Sequence, residues 1–185
     1  MKTNSSEKII WSSGTPMKIL VFFFNHASSE FYEAEVKRET GLSSGAVNRY
    51  LNILEKEGFL EKRKSGKMSF YMLRRENSVV RHLKTAYTLS LPFISEIERI
   101  GKSAGMKVFL YGSAARGEDD EESDIDLLVI GEAGFDKFQK KISLLKSETG
   151  REIRSSFFRR SEWLKMSQKD PAFYERVEKD KIELV

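Results

Sequence analysis

Residues 125–130, IDLLVI, form an apolar run that admits a single carboxylate, Asp126, and Asp124 stands two positions before it. The composition of this run reads as a strand. In a strand, residues two apart face the same side. Asp124 and Asp126 therefore project together, while Ile125 and Leu127 point to the opposite face. Two aligned carboxylates repel each other and lose hydration when partly buried. A divalent cation relieves both costs, and paired oxygen ligands suit Mg²⁺. Whatever the fold, one end of a largely buried strand has to meet a charged ligand.

Upstream, Val108–Tyr111 reads as a second short strand that ends in the turn Tyr111-Gly112-Ser113. Glycine lets the backbone approach a ligand closely. Exposed N–H groups and the Ser113 hydroxyl can hold phosphate oxygens there. Metal beside phosphate is the minimal set for nucleotidyl transfer, in which bound Mg²⁺ polarises the phosphate and activates the attacking oxygen. Between turn and strand lie the consecutive acids Glu118 to Glu122, expected to be a solvated loop rather than extra ligands.

The order GSAARG, acidic spacer, SDIDLLVIG closely resembles the signature of the DNA polymerase β-like nucleotidyltransferase superfamily. Its small stand-alone members, the minimal nucleotidyltransferases, look most similar, over about residues 93–160. The resemblance implies that Gly112 and Ser113 grip the triphosphate of an NTP, with Arg116 assisting. It implies that Asp124 and Asp126 are the catalytic Mg²⁺ ligands, in a one- or two-metal site. Family members usually add a third carboxylate from a later strand, as metal ligand and often as base. Here the apolar-acid-apolar pattern falls on Arg154. Glu152 has the right strand parity but sits one two-residue step away, roughly 6.6–7 Å. It fills the catalytic gap only if the register shifts. An arginine at that place would neutralise the aspartates or bind phosphate without catalysis.

Around these motifs, residues 104–185 read as a small mixed-sheet, nucleotidyltransferase-like domain with flanking helices. Phe135–Ser147 is an amphipathic helix and Ile153–Phe158 a third strand. Ser161 is expected to cap a helix carrying Trp163, Leu164 and Met166. Asp170-Pro171 starts a last helical turn, and the aromatic residues near the C-terminus are expected to be core rather than a base-stacking platform. Residues 77–103 read as one or two linking helices interrupted at Pro92, suited either to coiled-coil-like dimerisation or to packing within one chain.

Residues 14–76 have a different pattern. Met17, Leu20, Val21 and Phe24 recur at i, i+3, i+4, i+7, one face of an amphipathic helix with Pro16 in its first turn. A short helix fits Phe31–Thr40. Gly41 breaks it, Ser43 or Ser44 caps the next helix, about 44–57, and Val47, Leu51 and Leu54 are its core face. Two short runs around a Gly-containing basic turn then read as a β-hairpin. This order resembles the winged helix-turn-helix of MarR/ArsR-like transcription regulators. The resemblance implies DNA as partner. Ser44, Asn48 and Asn52 are placed along the recognition helix, where asparagine can read adenine edges. Arg49, Lys62, Arg63, Lys64 and Lys67 are placed toward phosphates. A homodimer is the expectation from symmetric operators.

The overall class is thus α+β. Net charge is +4, but residues 1–90 hold 15 Lys/Arg against 9 Asp/Glu, and residues 91–185 hold 17 against 19. A basic first half suits a polyanion and an acidic second half suits a metal. Cysteine is absent, which excludes disulfides and thiolate metal sites and is compatible with a cytoplasmic location. No apolar run approaches the ~18–20 residues that cross a bilayer, and the N-terminus lacks a secretory layout. Two readings follow: a nucleotidyltransferase acting on a protein or RNA acceptor, or a DNA-binding regulator whose transferase-like domain binds nucleotide or mediates assembly without catalysis. Small transferases of this kind also occur beside helical toxin partners, a third reading.

Overall fold

The computed structural model describes residues 14–185; the polar start of the chain lies outside them. The fold is α+β, with two small sheets, and divides into two compact units between Tyr87 and Thr88.

The first unit runs α1 (Thr15–Phe24), β1 (Phe31–Tyr32), α2 (Glu33–Thr40), α3 (Ser44–Lys56), β2 (Leu60–Ser65), β3 (Met68–Leu73) and most of α4 (Ser78–Leu89). Pro16 lies in the first turn of α1. This helix buries Ile19, Leu20, Phe22, Phe23 and Phe24, so its buried surface is wider than the Met17/Leu20/Val21/Phe24 face and is shifted toward Phe23. Gly41 closes α2 in the left-handed conformation at φ 68°. Ser43 caps α3, its hydroxyl accepting the Ala46 N–H at 3.3 Å. Val47, Leu51 and Leu54 of α3 join Leu60, Tyr71, Leu73 and Val80 in one core with α1. Strands β2 and β3 pair antiparallel from Leu60↔Leu73 to Ser65↔Met68 around Gly66-Lys67. The two-residue β1 adds to the far edge of β3, a strand too short to show in the sequence pattern.

In the second unit Pro92 opens a new helix, α5 (Pro92–Ala104), after α4 has ended at Leu89. Then follow β4 (Lys107–Tyr111), α6 (Gly112–Arg116), β5 (Ile125–Ile130), α7 (Phe135–Thr149), β6 (Ile153–Phe158), α8 (Arg160–Lys169), α9 (Pro171–Asp180) and β7 (Ile182–Glu183). The sheet order is β6-β5-β4-β7. Strands β5 and β6 run parallel and the other pairs antiparallel, with α7 as the crossover that parallel strands require.

Strand alternation divides the sheet's side chains between two cores. Val108, Leu110, Ile125, Leu127, Val129 and Ile153 pack with α5 and α7. Phe109, Leu128, Phe158, Trp163, Phe173 and Val177 form the other core, with α8 and α9. Trp163 and its aromatic neighbours are core, as expected. The C-terminal helical turn expected after Asp170 is a ten-residue helix, with Asp170 capping it by accepting the Phe173 N–H at 3.0 Å. Ser161 does not cap α8. That helix opens at Arg160, and Glu162 reaches back to accept the Arg159 N–H at 2.8 Å.

Candidate functional site

Asp126 lies in the second position of β5, on the face shared with Leu128 and Ile130 and with α8 and α9. Its register partners are Tyr111 on β4 and Arg154 on β6. Burial, and then the neighbouring Asp124, hold its carboxyl above the ordinary aspartate value; Arg154, Arg176 and Arg116 pull the other way. The site thus strains against its own negative charge, the condition that a bound cation relieves.

Gly112 makes the close approach of the turn possible. Its φ is 77°, and a Cβ there would meet Asp126 Oδ2 at 2.6 Å. Ser113 follows in the first turn of α6, half-buried, with its carbonyl accepting the Glu118 N–H at 2.9 Å. Among the described residues its hydroxyl makes no hydrogen bond. The turn and the two aspartates predicted to act together are therefore brought to one end of the β4–β5 pair.

Arg154 is the third element of this cluster. Its Nη2 lies 2.9 Å from Asp124 Oδ2. Glu152 is drawn elsewhere: its carboxylate pairs with Lys146 near the end of α7, while its carbonyl accepts the Ile125 N–H at 2.8 Å. The register is the unshifted one, with Ile125 opposite Ile153. The strand position beside Asp126 is consequently occupied by Arg154.

Arg116 is engaged as well. Its Nε donates to Glu118 Oε2 at 2.7 Å and its Nη1 to Asp180 Oδ2 at 3.0 Å, and these carboxylates hold the guanidinium above its ordinary value. The acidic loop is more structured than a solvated run. Asp119 is 3% exposed and pairs with Arg151 at 3.4 Å. Asp120 Oδ1 accepts from the Ser123 hydroxyl at 2.7 Å and from the Glu122 N–H at 3.2 Å. These contacts fix the chain that leads into Asp124.

Sequence reasoning missed Arg176. It lies on α9, its guanidinium carbon 5.5 Å from the Phe173 ring centroid. The only signal available was an arginine three residues after a phenylalanine in a helix, which is not distinctive before the packing of α9 is known.

Among the described residues, no group of three or more His, Cys, Asp or Glu side chains comes together for a metal. The donors present, Asp124 and Asp126, fit one hard cation of the Mg²⁺ type, which is commonly held by one or two carboxylates together with substrate phosphates and water.

In the first unit, Ser44, Asn48, Asn52, Lys62 and Lys67 line an open groove of about 420 Å³ with Lys37 and Tyr71. Asn48 Nδ2 donates to Glu33 Oε2 at 2.8 Å, and Lys62 Nζ to Asn52 Oδ1 at 2.9 Å. Arg63 is tied to Glu30, with Nε 2.9 Å from Oε1 and Nη2 2.5 Å from Oε2. The Arg49 guanidinium lies over the Tyr50 ring. Lys64 and Lys67 are exposed at the hairpin tip. No described helix is long and apolar enough to cross a membrane.

Comparison with known proteins bears on the second unit. A Methanocaldococcus jannaschii protein with the provisional name protein adenylyltransferase MJ0604 is 41% identical over 44 residues. That stretch is 24% of this chain and 44% of the relative's length, so the chain spans less than half of that protein. Residues 93–183, from the first turn of α5 through β7, match the family model of the nucleotidyltransferase domain.

Proposed function

We propose that the second unit is a Mg²⁺-dependent nucleotidyltransferase that moves a nucleoside monophosphate from an NTP to a hydroxyl on a protein acceptor. The observation that carries this reading is Asp124 immediately before β5 and Asp126 within it, with Gly112 packed against the Asp126 carboxylate, inside a segment matched by the nucleotidyltransferase family model. Adenylate and a protein acceptor are the choices supported by the name of the M. jannaschii relative.

In the transfer, the acceptor oxygen bonds to the α-phosphorus, the bond from that phosphorus to the bridging oxygen of the β-phosphate breaks, and pyrophosphate departs. The acceptor proton passes to solvent. Mg²⁺ held by Asp124 and Asp126 would offset charge on the phosphates and make the acceptor oxygen more nucleophilic. Gly112 lets the turn close onto the carboxylates, and the Ser113 hydroxyl can donate to a phosphate oxygen. Arg154 cannot serve as base, because a guanidinium keeps its proton; its role is to balance charge at Asp124.

The first unit is proposed to be a winged helix that binds DNA and so locates or regulates the transferase. Its support is the order of three helices followed by an antiparallel hairpin, with Lys64 and Lys67 exposed at the tip.

A second reading is favoured by Arg154: a site that binds nucleotide as a signal and transfers nothing. Incubation with α-labelled ATP, Mg²⁺ and candidate acceptor proteins separates the two. The transferase reading expects labelled acceptor with wild type and a loss of at least about 100-fold with Asp124→Ala/Asp126→Ala, the scale for removing a metal's charge stabilisation. Saturable nucleotide binding without transfer to any acceptor would favour the signal reading.

A further inference from the structure

Three arginines come from elements that meet at the Gly112-Ser113 turn: Arg154 of β6 beside Asp124, Arg116 at the end of α6, and Arg176 of α9 over the Phe173 ring, which itself packs on Tyr111. They differ in what already holds them. Arg116 is tied by Glu118 and Asp180, and Arg154 by Asp124. Arg176 is exposed and, among the described residues, has the Phe173 ring as its partner and makes no ion pair.

The placement of α9 gives this difference a purpose. Phe173, Arg176 and Asp180 recur at i, i+3, i+7, one face of the helix. At one end of that face Asp180 grips Arg116 on α6 at 3.0 Å. At the other, the Phe173 ring meets Tyr111, the residue before Gly112, edge-on with centroids 6.2 Å apart. Both contacts are to the turn that carries Gly112 and Ser113, and Arg176 lies between them on the helix. A cation–π contact orients a guanidinium without consuming its N–H donors. Those donors suit phosphate oxygens, which arginine binds in bidentate fashion.

We propose that Arg176 binds the terminal phosphates of the nucleotide and makes the site selective for triphosphate over monophosphate. This rests on the nucleotidyl-transfer reading of the same site and adds a residue that the GSAARG and SDIDLLVIG motifs do not contain. The site assigns its cations to separate tasks: Arg154 balances Asp124, Arg116 braces α6 against α9, and Arg176 receives the phosphate chain. The Asp180–Arg116 pair fixes the helix from which Arg176 projects.

Calorimetric titration of the full chain with the non-hydrolysable α,β-methylene analogue of ATP, and separately with AMP, both in Mg²⁺, tests this. Arg176→Ala is expected to weaken the triphosphate analogue by about 10- to 100-fold, the range for a lost charge-assisted hydrogen bond. AMP affinity should stay within about twofold of wild type, well inside that range. Arg176→Lys should recover part of the loss, since it restores charge without the fork. Arg176 is exposed, so neither change removes core packing. Unchanged triphosphate affinity in Arg176→Ala, or an equal loss for AMP, overturns the role of Arg176 while leaving nucleotide binding standing. A wild-type chain that binds neither nucleotide overturns the transferase reading, and this role with it.

Discussion

Arg154 Nη2 stands 2.9 Å from Asp124 Oδ2, and the Arg154 backbone is the register partner of Asp126. One strand position therefore places a fixed positive charge against both carboxylates. A metal ion held by this pair, as proposed, would have to displace or share the guanidinium.

Replacing Arg154 should consequently tighten metal binding. Its head group is largely exposed, 69% by side chain, so solvent weakens its field. The expected gain in Mn²⁺ affinity for Arg154→Ala is about tenfold, or about 1.4 kcal/mol. Arg154→Asp should gain more and admit a second ion. Calorimetric Mn²⁺ titration reads both affinity and stoichiometry. Weaker binding in Arg154→Ala would mean that the arginine organises the aspartates rather than competing for them.

Asp126 gives a prediction of opposite sign for stability and for metal. Burial and Asp124 hold its carboxyl above the ordinary value in the folded chain. The folded state therefore binds this proton more tightly than the unfolded state does. Stability contributed at Asp126 is lost as pH rises from the ordinary aspartate value through the raised one. Asp126→Asn removes this cost. Its metal-free melting temperature at neutral pH should exceed that of wild type, and the gap should close below about pH 3.9. Added Mg²⁺ should raise the wild-type melting temperature and leave that of the variant unchanged. Thermal melts across pH, with EDTA and with Mg²⁺, check both halves.

Gly112 and Gly105 separate backbone strain from contact with the site. Both have positive φ, 77° and 65°, but an added Cβ meets Asp126 Oδ2 at 2.6 Å in the first case and nothing within 4 Å in the second. Gly105→Ala should cost roughly 1 kcal/mol, and Gly112→Ala roughly 1–3 kcal/mol as α6 is forced away from β5. Mn²⁺ affinity should drop only in Gly112→Ala. Denaturant melts paired with Mn²⁺ titration measure these outcomes, and equal metal affinity in the two variants would sever Gly112 from the site.

The part of this site that was legible in the sequence is the part governed by strand period. Asp126 sits in β5 with Asp124 just before its first residue, and Arg154 falls beside Asp126 because an apolar pattern sets the register of β6. Side chains whose partners come from distant elements were not legible. Arg116 gives no hint in the sequence of the carboxylate that α9 brings to it, Asp180. Glu152 has the parity of a catalytic acid until the end of α7 offers it Lys146. Asp119 looks like one more charge in a solvated run until it pairs with Arg151 in the interior. Each outcome depends on packing between elements, which no local period encodes.

The basic hairpin supplies the last prediction. Of the wing cations, Arg63 is committed to Glu30 through two N–H donors, and Lys62 is bonded to Asn52 over the Tyr71 ring. Lys64 and Lys67 are exposed at the turn. If the first unit binds DNA as proposed, phosphate contacts should come from Lys64 and Lys67 rather than from Arg63. Each lost phosphate contact reduces the slope of log K against log salt by about 1 and weakens binding similarly on all sequences. Lys64→Ala/Lys67→Ala should therefore lower the slope by about 2, whereas Arg63→Ala should leave it near the wild-type value. Fluorescence anisotropy on duplex DNA from upstream of the protein's own gene, at several salt concentrations, measures the slope. A larger drop for Arg63→Ala than for the double lysine change would show that DNA breaks the Glu30 pair and that the wing rearranges on binding.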